Sequence, residues 1–586
     1  MELFKRFFSI FICGSFSIFF YPVVLSLISS NVQAQTSVNQ SVDEIIEKHI
    51  EALGGYETLK AIQTQRIEQR VSMGPQEIPI TIYKKRPQLY RSEQIMPHGD
   101  IMVRAVNERN AWIQMGQRNP RQRPDFAADH QRESVADFDG ILVDYERKGH
   151  SVEIVGMEDI EDTETYELKV RLASGAEQFV YLDSKSYLMK KQIRTAYTPQ
   201  GEIQVEDVYD DYREVDGIMI PFLIHSQQGS QRFDIKTTAV TFNEPVDDEI
   251  FIIPKKHVQF SSTDELDIFL EKQTAEDKFS GVVLIAKDGT PTFHKAYGFA
   301  SKRFKVPNRK DTKFNIGSIN KLFTSVAILQ LLEMGKLALD DSIGEYLSDF
   351  PEEVADKVTI RHLLQHRSGW GHYWEDETYL ATWKDLRTID DYMEFIENTP
   401  LDFEPGTGEQ YSNTGYVVLG AIIEKVSRQN YYDYVRDHIF EPIGMKDTDS
   451  YEMDDPVENL AIGYTNMSPY GPEEGYQREN IFMHSVKGTS AGGGYSTAED
   501  LLLFDIALRS DRLLRNKYTN MLFNNFNNEA EPGPRSGGVG FAGGAPGING
   551  VIEMNFDTRY TVIVLSNYDP PVAMDLGAEI MDMVRE

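Results

Sequence analysis

An apolar run from Phe7 to Ser30 opens the chain, and a short helical repeat follows it. Between Asp43 and Leu53, Ile45, Ile46, Ile50 and Leu53 recur at the spacing that gathers one helix face, and Gly54-Gly55 ends the pattern. The period then drops to two. In "YELKVRL" Tyr166, Leu168, Val170 and Leu172 share a face, the turn "ASG" follows, and "EQFVYL", "IRTAY" and "IQVEDVYDDYREVDGIMIPF" continue the alternation, the last folding back at Asp216-Gly217. This stretch predicts an antiparallel meander ending near Pro254. Beyond the joint at Pro254 to Thr263 the pattern is mixed. The helix "STDELDIFLEKQ" starts behind a Ser/Thr cap, and "GVVLIAK" and "PTFHKAYG" flank Asp288-Gly289-Thr290 as a hairpin. Residues from about Phe314 to Ala507 read mostly as helix; strands return in "GGVGFAG", "GVIEMNF" and "YTVIVLSN", and "PVAMDLGAEIMDMVRE" closes the chain as a helix. Strands at both ends of a segment with helices between them predict one antiparallel sheet with a helical insertion, an α+β arrangement.

Length and composition agree with more than one domain: 586 residues at 41% apolar composition bury large cores. The formal net charge of -33 repels phosphate backbones and anionic surfaces, which argues against nucleic acid as a partner. Lys5 and Arg6 ahead of the apolar run, and small Ala34 in "NVQAQT", predict a signal peptide over 1–34 and export to the periplasm or the medium. The run is long for a signal, so an uncleaved membrane anchor is the alternative. Cys13 is the single cysteine and lies inside that run, leaving the mature chain without a thiol, a disulfide or a cysteine metal site. The expected plan is therefore 1–34 signal, 40–254 β-meander with an N-terminal helix, and 262–586 as the second domain.

Candidate chemistry starts in "NIGSINKLFTSVAILQLLEMG". Ser318 is a residue type suited to a helix N-terminus, and the apolar residues after it need no catalytic explanation. Lys321 does. A run apolar on nearly every face implies a buried helix, and burial disfavours an ammonium and lowers its pKa. Residues three apart share a helix face, so the amine is placed to take the Ser318 proton, with the helix dipole favouring the developing alkoxide.

Downstream, Tyr411, Ser412 and Asn413 form a turn before an apolar helix expected to begin near Tyr416. "GSINK" followed by "YSN" resembles the serine hydrolases related to class C β-lactamases and D-alanyl-D-alanine carboxypeptidases. "LLQHRSGW", "FEPGTGEQYSNTGYVVLG", "GGGYSTAEDLL", "GGAPGING" and "TVIVLSN" follow the family order over roughly 262 to 586. The resemblance implies a β-lactamase/transpeptidase-like fold, with Ser318 as acylated nucleophile, Lys321 as its assistant, Tyr411 as proton carrier and Asn413 as a substrate-binding amide. Such enzymes carry a His or Lys, a variable residue and a Gly on the strand lining the site; here the stretch is Phe541-Ala542-Gly543. Phe541 offers no hydrogen bond and no charge for a substrate carboxylate. Gly543 and Gly544 keep the close approach, and the Ser318 and Gly544 N–H groups are candidates for an oxyanion hole. The helix-then-meander resembles the half-barrel sheets of periplasmic lipoprotein carriers, which implies a lipid or cell-envelope ligand; a plain accessory domain is the alternative reading.

Two other motifs compete. Gly488-Thr489-Ser490-Ala491-Gly492 fits GxSxG, but more glycine-rich loop follows it and no His occurs after His484, so Ser490 is not expected to be a nucleophile. His362 and His366 stand four apart with His372 nearby, yet no acidic third ligand has a recognisable spacing, and they read as packed or exposed histidines. No metal and no organic cofactor are expected. The expectation is an exported serine hydrolase forming an acyl-enzyme from an ester, a D-residue amide or peptide, or a β-lactam. The competing expectation is a catalytically weak binding protein for cell-wall peptides or a lipid.

Overall fold

The computed structural model describes residues 40–586 apart from 74–75, 97–100, 117–118, 123–131, 134, 199–200, 229–230, 255–258, 376, 469–470, 473–475, 528–532 and 586. The expected signal and its cleavage site lie outside the described residues. Among the described residues no helix is long and apolar enough to cross a membrane. The chain divides into two compact units, the second beginning at Gln259.

In the first unit the helix Val42–Ala52 opens with a capping box between Ser41 and Glu44. Its buried Ile45 and Ile46 pack on Leu168, Val170, Val180 and Leu182, the alternating positions that the strand pattern turns to one face. The described strands form one 13-stranded antiparallel sheet. It is two meanders joined, because the first strand, Thr64–Met73, pairs with the last, Gln231–Phe242. The short strand Arg121–Gln122 and the strand Ser151–Ile160, consecutive in the chain, end up as opposite edges, so the sheet is open rather than a closed barrel.

In the second unit the sheet order places Thr290–Tyr297 and Gly281–Lys287 beside Tyr560–Ser566, then Ile548–Asn555, with Gly538–Ala545 at the edge. The first hairpin turns on Asp288 and Gly289 alone, both at positive φ, so Thr290 belongs to the strand. The closing helix Val572–Arg585 lies on one face, where Gly577 comes against Val551. The opposite face receives the helical insertion, Gly550 meeting Ile319 of the Ser318 segment. The helix Lys321–Glu333 is buried almost all round, and Phe323 sits edge-on between Phe440 and Phe504 at ring separations of 4.9 and 5.0 Å. A helix apolar on every face needs neighbours on every side, and this packing holds the helix that carries the site at its head.

Candidate active site

Ser318 is not a helix cap. It lies in a 3-10 turn, Gly317–Asn320, that leads into the helix beginning at Lys321. The turn is pinned from behind: Ile316 N–H donates to the Gly494 carbonyl at 2.9 Å, and Gly317 N–H to Asn315 Oδ1 at 2.9 Å. Gly317 takes φ +51, a left-handed backbone that glycine adopts at the least steric cost. The edge strand Gly538–Ala545 runs hard against this turn. A Cβ on Gly543 would stand 2.0 Å from the Ile316 carbonyl oxygen and 2.8 Å from Ser318 N, so that position admits glycine only. Gly544 N lies 3.0 Å from where a Gly317 Cβ would be, which brings it beside the Ser318 turn. The two residues expected to supply oxyanion donors, Ser318 and Gly544, are thus brought side by side.

Lys321 Nζ stands 3.3 Å from Ser318 Oγ, and Tyr411 Oη donates to the same oxygen at 2.8 Å. The amine also donates to Asn413 Oδ1 at 2.6 Å and to the Ala491 carbonyl, and it lies 4.9 Å from the centre of the Tyr411 ring. No carboxylate pairs with it among the described residues, and burial holds its pKa well below the ordinary lysine value. An ammonium brings three hydrogens and a neutral amine two. The amine's neighbours are two carbonyl oxygens and one hydroxyl, which suits two N–H donors and a lone pair aimed at Ser318. Burial raises the Tyr411 phenol, while its bond to Ser318 works the other way, so the phenol keeps its hydrogen at neutral pH.

The "YSN" element differs from the expected turn. The helix begins at Asn413, not near Tyr416, because the Ser412 hydroxyl accepts Gly415 N–H at 2.8 Å and caps it; Asn and Gly read as turn residues in isolation. His366 brackets this corner. Its carbonyl accepts Gln410 N–H at 2.8 Å, its Nδ1 accepts Ser412 N–H at 3.1 Å, and its ring lies 4.5 Å from that of Tyr411. Burial above all lowers its pKa, to about 3, so the ring stays neutral and Nδ1 stays an acceptor. His372 Nδ1 stands 3.1 Å from Asn413 Nδ2, and burial above all lowers its pKa, to about 4. His362 takes part in a helix cap with Thr359 instead. Among the described residues no group of three or more His, Cys, Asp or Glu is arranged to hold a metal.

The GxSxG segment serves the site through its backbone. Three successive carbonyls are held by the serine helix: Thr489 by Asn320 Nδ2 at 2.8 Å, Ser490 by Thr324 Oγ1 at 2.7 Å, and Ala491 by Lys321. The Ser490 side chain is fully buried, packed where Gly420 has no Cβ, and its hydroxyl has no partner among the described residues. Phe541 shares a face with Gly543, is partly buried against the core, and lies 6.4 Å ring to ring from Phe523. The carbonyl of Ala491 and the ring of His366 were beyond sequence reasoning, since no spacing rule ties 491 to 321 or 366 to 411.

A serine hydroxyl within hydrogen-bond reach of both a buried amine and a phenol has the parts of an acyl-transferring serine hydrolase. A model of the Beta-lactamase family matches residues 266–582, and the chain belongs to that family. It is 31% identical over 329 residues to "Penicillin-binding protein 4*" of Bacillus subtilis (strain 168), covering 52% of this chain and 71% of the relative. It is 29% identical over 277 residues to "Esterase EstB" of Burkholderia gladioli, covering 42% and 70%. A solved structure of a penicillin binding protein from Bacillus halodurans is 29% identical, with a TM-score of 0.47, covering 53% of this chain and 98% of that one. The chain is a serine hydrolase with the β-lactamase/transpeptidase fold in its second unit, and the thirteen-stranded sheet lies outside the matched residues.

Proposed function

We propose that the second unit hydrolyses an ester or small amide through an acyl-enzyme on Ser318. The observation that carries this is the setting of the Lys321 amine: buried, without a carboxylate partner among the described residues, and placed against Asn413 Oδ1, the Ala491 carbonyl and Ser318 Oγ, where burial favours the neutral base. Ser318 Oγ attacks the substrate carbonyl carbon and its proton passes to Lys321. The Ser318 and Gly544 N–H groups hold the oxyanion. When the tetrahedral adduct collapses, the proton returns to the departing oxygen or nitrogen by way of Tyr411. Water then attacks the acyl-enzyme, its proton following the same route back until Ser318 leaves as the hydroxyl.

Phe541 shapes the substrate side. Where the family pattern has a His or Lys, this strand presents the Phe541 ring, 6.4 Å from that of Phe523, and that side chain offers a substrate carboxylate no charge. That favours uncharged acyl groups over β-lactams and wall peptides ending in a carboxylate, and the relative named as an esterase is consistent with it. Export is part of the proposal and rests on Lys5, Arg6, the apolar run and Ala34. The reading is tested by incubating the protein with a fluorophosphonate and with penicillin, followed by intact mass and peptide mapping. One adduct at Ser318, absent in Ser318→Ala, is expected, together with ester hydrolysis faster than cephalosporin turnover. An adduct on Ser490, or none with unchanged turnover in Ser318→Ala, defeats the site; fast cephalosporin turnover with poor ester hydrolysis defeats the substrate preference.

A further inference from the structure

We infer that His372 is a positioning residue that aims the Lys321 amine at Ser318 by fixing the side chain of Asn413; the inference rests on the reading of Ser318 as nucleophile. An Asn amide has an oxygen and a nitrogen of nearly equal size, and its neighbours alone decide which way round it sits. Asn413 Oδ1 accepts from Lys321 Nζ at 2.6 Å, and on the far side Asn413 Nδ2 meets His372 Nδ1 at 3.1 Å. For that second contact to be a hydrogen bond, Nδ1 must be bare and the ring hydrogen must be on Nε2. The ring is held flat against Trp374, 4.2 Å between centres and 14° between planes. Burial disfavours the charged imidazolium, so the ring stays neutral.

The consequence follows from counting hydrogens. With Oδ1 toward Lys321, the amine gives one hydrogen to Asn413 and one to the Ala491 carbonyl, and its lone pair is left for the Ser318 hydroxyl. With the amide reversed, the NH2 of Asn413 faces the amine, competes for that lone pair and takes the base away from the serine. The Lys321 N–H favours the present orientation from one side and His372, as the acceptor for Nδ2, from the other; without His372 the orientation keeps only one of its two supports. The alternative is that His372 only packs on Trp374. Packing alone asks for a flat ring and is indifferent to an acceptor.

The two readings part in the rate of Ser318 labelling by a fluorophosphonate, measured on the full chain and its variants. His372→Phe keeps a ring for Trp374 and removes the acceptor; its maximal labelling rate is expected to fall about tenfold, the scale of one lost hydrogen bond, with half-saturation unchanged. His372→Gln restores an acceptor oxygen without a ring and is expected to stay within about threefold of the parent. In an Asn413→Ala background His372→Phe is expected to cost nothing further. A Phe variant as fast as the parent or faster than the Gln variant overturns the inference. So does the same penalty in the Asn413→Ala background, which also decides the matter if one single variant fails to fold. Absence of Ser318 labelling in the parent is a different result: it removes the nucleophile reading, and the inference with it.

Discussion

At the scale of single residues, the site depends on an amine kept from its usual charge. Lys321 meets no carboxylate among the described residues, only neutral oxygens and rings, so burial alone sets the direction of its shift. Labelling of Ser318 should therefore rise with pH as Lys321 deprotonates, and reach its plateau well below the ordinary lysine value of 10.5. A rising limb centred at that ordinary value, in a pH profile of the labelling rate, contradicts it. Lys321→Arg keeps length and charge but cannot become neutral, and should slow labelling by at least about a hundredfold. His366 carries a stability prediction of defined sign. Its folded pKa, about 3, lies below the ordinary 6.5, so the unfolded chain binds the proton first as pH falls. The stability it contributes is complete above 6.5 and is lost as pH drops toward 3. The gap in urea midpoint between the parent and His366→Gln should narrow across that window, and a gap constant with pH speaks against a neutral buried ring.

At the scale of elements, the decisive contact is a strand edge against a helix start. Gly543 allows the Gly538–Ala545 strand to touch the Ile316 carbonyl and Ser318 N, and no side chain fits between them. Gly543→Ala should cost about 1–3 kcal/mol of stability by overpacking and should slow labelling further, because the strand that carries Gly544 must retreat. Unchanged labelling in a folded Gly543→Ala would show that Gly544 N–H is not needed. Periodicity read these elements well where burial is one-sided. Ile45 and Ile46 of the first helix, and Leu168 and Val170 of the meander, point where their spacing said. It placed the start of the Asn413–Ser427 helix late, because Ser412, Asn413 and Gly415 are turn formers unless a cap recruits them, and the cap is a local bond that hydropathy does not register.

At the scale of the whole molecule, each unit has its own sheet and its own buried core. Residues 259–586 expressed alone should fold and label at Ser318 as the full chain does, since every side chain assigned to the chemistry lies in that unit. A fragment that is insoluble, or folded but unlabelled, refutes the independence of the unit. The linear order of apolar and polar positions suggested a meander followed by an α+β part and singled out Ser318 and Lys321, while Tyr411 and Asn413 became candidates through the resemblance of short motifs to a known family, because periodicity and short motifs are written along the chain. What it left open was decided by contacts between residues far apart in sequence. The Ala491 carbonyl that engages Lys321, the His366 ring that braces Tyr411, the His372 acceptor behind Asn413 and the pairing of first strand with last are set by packing. None has a sequence signature, because a hydrogen bond depends on distance and direction in space, and the fold alone brings these groups within 3 to 5 Å of one another.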